Sequence, residues 1–204
     1  MLYVFHGAGC ALRGITALNW SAAEYFASPE YQKKVGGAYI IVPLANETTD
    51  RGHTIGTWMT PLAEGQDLTA YPSDIVPMMR RLFGADAPRL TALLGVNSVY
   101  TDALIRLFDE AVSHFSSAGK TIVMGTSAGG YCAWRYILSR RVDAALIMAG
   151  AYLPSEAELA RLEAQGLPLW ICQGKHDECV PYAFSIGPVL SRLRGMTNVS
   201  LYLP

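Results

Sequence analysis

Short apolar runs recur along the chain, separated by stretches with helical periodicity. The runs are Leu2–Phe5, Ala38–Pro43, Thr121–Gly125, Ala144–Ala149, Leu167–Cys172 and Val199–Leu203. Each is aliphatic or β-branched and bounded by Gly, Pro or polar residues, the pattern of strands covered on both faces. Over Thr101–Phe115, residues Leu104, Ile105, Phe108, Ala111, Val112 and Phe115 form one apolar stripe, with Glu110 and His114 turned away. Ser127–Leu138 and Ser155–Gln165 read as further helices, the second opening on a capping box of Ser155 and Glu158. Tyr182–Arg194 is a weaker helix because Gly187-Pro188 interrupts it. Ala45–Val99 is irregular and rich in Thr, Gly and Pro; we read it as substrate-side loops with a short helix near Asp74–Phe83. Alternating strands and helices predict an α/β fold, a three-layer αβα sandwich of about six mainly parallel strands, in one domain over residues 1–204.

Composition agrees. Of 204 residues, 51% are hydrophobic and 16% charged, the shift expected of a sheet buried on both faces. The net charge of -1 advertises no basic face, which argues against nucleic acid or anionic membrane as a partner. Lys33-Lys34 and Arg140-Arg141 read as solvated helix ends. Met1–Phe5 has neither the basic start nor the cleavage site of a leader, and no apolar run is long enough to span a bilayer. Cys10, Cys132, Cys172 and Cys179 lack zinc-type spacing and read as reduced thiols of a cytoplasmic protein, with a Cys172–Cys179 bridge the lesser alternative.

Three short segments carry chemistry. Gly125-Thr126-Ser127-Ala128-Gly129 fits G-x-S-x-G, and it lies between an apolar strand and a helix. That context makes a nucleophile elbow, in which a tight turn lifts a serine hydroxyl clear of the sheet and small neighbours give it room. Ser127 is the candidate nucleophile, and the Ala128 N–H at the helix start is a candidate oxyanion donor. His6-Gly7-Ala8-Gly9 follows the first strand; Gly7 shapes a turn in which the Ala8 N–H is the second donor, a contribution of ~10²–10³ in rate. His6 then serves to hold the loop. Gly174-Lys175-His176-Asp177-Glu178-Cys179-Val180-Pro181 follows another strand, and Asp177 is suited to orient an imidazole. Read without chemistry, these segments are a glycine-rich strand-to-helix turn, a glycine turn and a solvated acidic loop.

Those segments, in the order Ser then Asp, resemble the α/β-hydrolase superfamily over nearly the whole chain. In particular they resemble its feruloyl-esterase-like, polyhydroxyalkanoate-depolymerase-like and prolyl-oligopeptidase-like catalytic domains. The resemblance implies a serine hydrolase acting on a small-molecule ester, or less readily a peptide. It needs no cofactor or metal, and its site comprises Ser127, Asp177 and an oxyanion hole of Gly7, Ala8 and Ala128. It also implies a histidine on a loop after the last strand. The four histidines are His6, His53, His114 and His176, and none follows Asp177. The first two strands of the family pattern are missing as well. Three explanations stand open: the chain runs on at both ends; His53 or His176 is recruited as base; or the protein binds without cleaving.

Aromatic residues complete the reading. Trp134 and Trp170 are expected in the core, and Trp58 is a candidate for a substrate pocket. Asp102 is expected to favour the first turn of its helix. Oligomeric state is not encoded legibly.

Overall fold

The computed structural model describes residues 1–7, 10, 22–44, 47–50, 53–56, 105–106, 109–110, 112–115 and 119–204. Strand β1 (Leu2–Phe5) is followed by helices α1 (Ala23–Ala27) and α2 (Pro29–Val35) and by strand β2 (Ile40–Ile41). A separate antiparallel hairpin joins β3 (Glu47–Asp50) to β4 (His53–Gly56), pairing Asp50 with His53. Then come β5 (Ile122–Thr126), α3 (Ala128–Ser139), β6 (Ala144–Met148), α4 (Glu156–Ala164), β7 (Leu169–Cys172), α5 (Leu190–Gly195) and β8 (Val199–Tyr202). Six strands form one sheet in the order β2-β1-β5-β6-β7-β8, and every neighbouring pair is parallel.

Side-chain alternation divides the sheet into two faces. Tyr3, Phe5, Val123, Ala145, Ile147, Leu169 and Ile171 point into the main core with Trp134 and Ile137 of α3, Leu159 and Leu162 of α4 and Leu193 of α5. Leu2, Val4 and Met124 point the other way and meet Phe26 of α1. The expected three-layer α/β sandwich is therefore present, with helices on both faces. Residues 105–106, 109–110 and 112–113 are helical, and Ile105 and Val112 join the main core. Asp109 accepts hydrogen bonds from the Tyr136 hydroxyl (2.7 Å) and Arg140 Nε (2.5 Å), tying this segment to the end of α3. Phe115, expected in the apolar stripe, is instead exposed, with its ring centroid 5.5 Å from that of Tyr39. Among the described residues, no helix is long and apolar enough to cross a membrane.

Several expectations change. Trp170 is not a core residue: it is 57% exposed. Register explains why. Val4, Met124, Leu146, Trp170 and Ser200 form one row across β1, β5, β6, β7 and β8. Its β1 end is covered by α1, and exposure grows toward the β8 edge. The run Ala38–Pro43 contributes only Ile40–Ile41 to the sheet. The weak helix over Tyr182–Arg194 is two 3₁₀ turns, Tyr182–Phe184 and Gly187–Val189, ahead of α5, as Gly187-Pro188 requires. The β3–β4 hairpin occupies part of the stretch read as irregular. Arg140 is bound to Asp109 rather than simply solvated. Helices α1 and α2 were not expected, although Ser28-Pro29 is a helix-start signal and the Ser28 hydroxyl accepts the Tyr31 N–H at 3.2 Å. The short helix near Asp74–Phe83, and Asp102, lie outside the described residues.

The capping box forms as expected. Ser155 Oγ accepts the Glu158 N–H, and Glu158 Oε2 accepts the Ser155 N–H at 2.8 Å. Removing the hydroxyl in Ser155→Ala should lower stability by about 1 kcal/mol without changing fold, as read by urea unfolding.

Candidate active site

Ser127 joins β5 to α3 with φ 58 and ψ -121, in a region that non-glycine residues seldom occupy. Such a conformation costs about 1–3 kcal/mol and persists only where its surroundings enforce it. Here both ends of the residue are held. Its N–H donates to the Met148 carbonyl (3.0 Å), and its own carbonyl accepts from the N–H of Tyr131 and of Ala151 (both 3.2 Å). The turn is thereby bonded to the end of β6 and the residues after it.

Close backbone packing allows the turn. A Cβ on Gly125 would come 2.6 Å from the Gly129 carbonyl carbon and 2.9 Å from the Ala133 side chain. One on Gly129 would run into the carbonyls of Phe5 and His6, and one on Gly130 would lie 2.6 Å from Gly150 Cα. The glycines thus seat α3 directly against the ends of β1 and β6.

Gly7 lies beside the candidate nucleophile: a Cβ there would be 3.6 Å from Ser127 Cβ. Ala128 is buried at the first position of α3, where its N–H has no acceptor within the helix. Ser127 is partly exposed. Ser127, Ala128 and Gly7 are therefore brought together. Ala8, the other expected donor, and Trp58 lie outside the described residues.

His6 is 2% exposed, and its Nδ1–H donates to the Gly7 carbonyl at 2.8 Å. Burial pushes its pKa below the ordinary value, and the bond to Gly7 offsets this only in part. The ring thus holds the Gly7 carbonyl at the start of the turn after β1.

Asp177 sits in the loop after β7, two strands from Ser127 at the same carboxyl edge of the parallel sheet. Its Oδ1 accepts the N–H groups of Cys179 and Val180, both at 2.9 Å. Its Oδ2 accepts a longer bond of 3.4 Å from Gln173 Nε2. Gln173, which sequence reasoning passed over, is 1% exposed. The only signal for it was a polar residue directly after an apolar strand and before Gly174. The end of β8 abuts this loop, with Lys175 N–H donating to the Pro204 carbonyl at 3.1 Å. His176 and His114 are exposed, and the backbone of His53 opens β4. No disulfide joins Cys10, Cys132, Cys172 or Cys179.

A parallel sheet with a strained serine at a strand-to-helix turn and an acidic loop two strands away defines the α/β-hydrolase fold. Comparison with solved structures agrees. The chain is similar to esterase PE8, with a TM-score of 0.61 and 17% identity over 100% of this chain and 81% of that one. It is similar to Arabidopsis thaliana SOBER1, with a TM-score of 0.55 and 14% identity over 99% and 85% of the two chains. A thermostable esterase gives a TM-score of 0.58 and 17% identity over 100% of this chain and 46% of that one. No protein-family model and no curated protein matches the chain.

Two outcomes follow from this geometry. Gly129→Ala forces a side chain into backbone carbonyls that cannot swing away; it should cost about 3 kcal/mol or prevent folding, as measured by urea denaturation. Because His6 has a lowered pKa in the folded state, the unfolded chain binds its proton more readily. Stability should therefore fall as pH is lowered from 7 through the ordinary histidine range. Thermal unfolding of His6→Gln should lose part of that pH dependence.

Proposed function

We propose that the protein is a serine hydrolase that cleaves a carboxylic ester through an acyl-enzyme on Ser127. The observation that carries this reading is the backbone of Ser127, held at φ 58 at the head of α3 with glycines packed around it. Strain of this kind is costly in a purely structural turn and is useful where a hydroxyl must project from the sheet. Similarity to esterases supports the same chemistry.

In this reading Ser127 Oγ attacks the ester carbonyl carbon while an imidazole takes its proton. The carbonyl oxygen becomes an oxyanion held by the N–H groups of Ala128 and Ala8. The tetrahedral intermediate collapses, the C–O bond breaks, and the alcohol leaves with the proton returned by the imidazole. Water then repeats the sequence on the acyl-enzyme and releases the acid. Asp177 orients the imidazole. Strands β5 and β7 are separated by roughly 10 Å at two sheet spacings. An imidazole with a hydrogen bond at each nitrogen spans about 8 Å, so modest leaning of the side chains closes the gap. No histidine follows Asp177 within residues 1–204. The family pattern carries the base on a loop after the last strand, and here the end of β8 lies against the Asp177 loop. The protein is proposed to act in the cytoplasm on a small-molecule ester.

The same fold can also serve a protein that binds a ligand and leaves it intact, because fold does not fix function. Hydrolysis of p-nitrophenyl acetate separates the two. The esterase reading expects saturable turnover that falls by ~10⁶ in Ser127→Ala, and by ~10⁴ in Asp177→Ala. Equal, non-saturable rates for wild type and Ser127→Ala would favour the binding protein.

A further inference from the structure

We infer that Gln173 is a positioning residue whose buried carboxamide fixes which oxygen of Asp177 is offered to the imidazole. This rests on the serine-hydrolase reading and deepens it. Gln173 is the first residue beyond β7, and its backbone N–H continues the ladder to β8 by donating to the Tyr202 carbonyl at 3.0 Å. Its side chain turns inward beneath the acidic loop.

The amide nitrogen meets oxygens only. Nε2 lies 3.0 Å from the Val180 carbonyl, 3.4 Å from Asp177 Oδ2 and 3.5 Å from the Gly174 carbonyl. Turning the amide over would set Oε1 against three acceptors, so its orientation is determined. One NH₂ group thus links both ends of the loop and the carboxylate between them. Lys175, His176, Glu178 and Cys179 are all exposed and leave the loop's upper side open to solvent.

The two oxygens of Asp177 are treated differently. Oδ1 is filled by two backbone N–H groups at 2.9 Å. Among the described residues Oδ2 has a single long bond, which leaves room for a strong donor. A carboxylate that orients a base needs one anchored oxygen and one free to accept from the ring. Without the Gln173 amide, Oδ2 loses its side-chain partner while Oδ1 stays on its two backbone N–H groups, and the loop loses its tie to the Val180 carbonyl, so the oxygen offered to the ring is less firmly placed. A leucine or methionine would fill the same volume without burying Oε1, which meets no donor among the described residues. Packing alone does not explain an amide here.

The test is a double-mutant cycle between Gln173→Met and Asp177→Ala, read as kcat and KM for p-nitrophenyl acetate. Far-UV circular dichroism and thermal unfolding report folding. Gln173→Met should lower kcat about tenfold with KM nearly unchanged. In the Asp177→Ala background the same substitution should change kcat less than twofold, because it acts through the carboxylate. A residue that merely supports the fold would give the same fold-change in both backgrounds. If Gln173→Met does not fold, Gln173→Glu replaces it, keeping the shape while facing Asp177 with a second carboxyl group. Undiminished kcat in a folded variant, or multiplicative losses in the cycle, would overturn the positioning role and leave the serine-hydrolase reading intact. A wild-type protein no faster than Ser127→Ala would overturn both.

Discussion

The architecture depends on one constraint: a backbone bend at Ser127 that a side-chain-bearing residue resists. Three backbone hydrogen bonds tie the residue to Met148, Tyr131 and Ala151. The bend needs α3 to press against the ends of β1 and β6, which only glycine permits at 125, 129 and 130. Strain of about 1–3 kcal/mol is thus balanced by packing spread over three strands and a helix. A perturbation of any of these contacts is a perturbation of the candidate nucleophile.

The parallel sheet converts that local bend into a shared site. With every strand running the same way, the turn after β1, the bend after β5 and the acidic loop after β7 all emerge on one edge. Each is then secured by its own device. His6 pins the turn after β1 through the Gly7 carbonyl, glycine packing seats Ser127, and two backbone N–H groups with Gln173 hold Asp177. Side chains that face solvent do little of this work; buried backbone and amide groups do most of it.

The parts legible in the sequence are those whose physics is local. Gly125 to Gly130 announce the bend because the crowding falls on neighbouring residues, and the apolar run before them fixes the strand. Ser155 and Glu158 announce a helix start for the same reason. Trp170 was misread because alternation tells which face a residue takes, not how far the covering helix extends along the sheet. The polar Glu47–Asp50 strand lacks the apolar alternation that marks a half-buried strand, and among the described residues it pairs with β4 alone. Gln173 was invisible for a different reason. Its role depends on a loop folding back over it, and no spacing rule announces that. The Ala8 and Trp58 expectations fall outside the described residues and stand as proposals.

Covalent trapping tests the central claim most directly. The folded protein treated with diisopropyl fluorophosphate, which loses fluoride to the serine oxygen, then digested and mapped by mass spectrometry, should carry one diisopropylphosphorylated residue, and that residue should be Ser127. A fully unmodified Ser127 peptide from folded protein, or modification confined to another residue, would contradict the account.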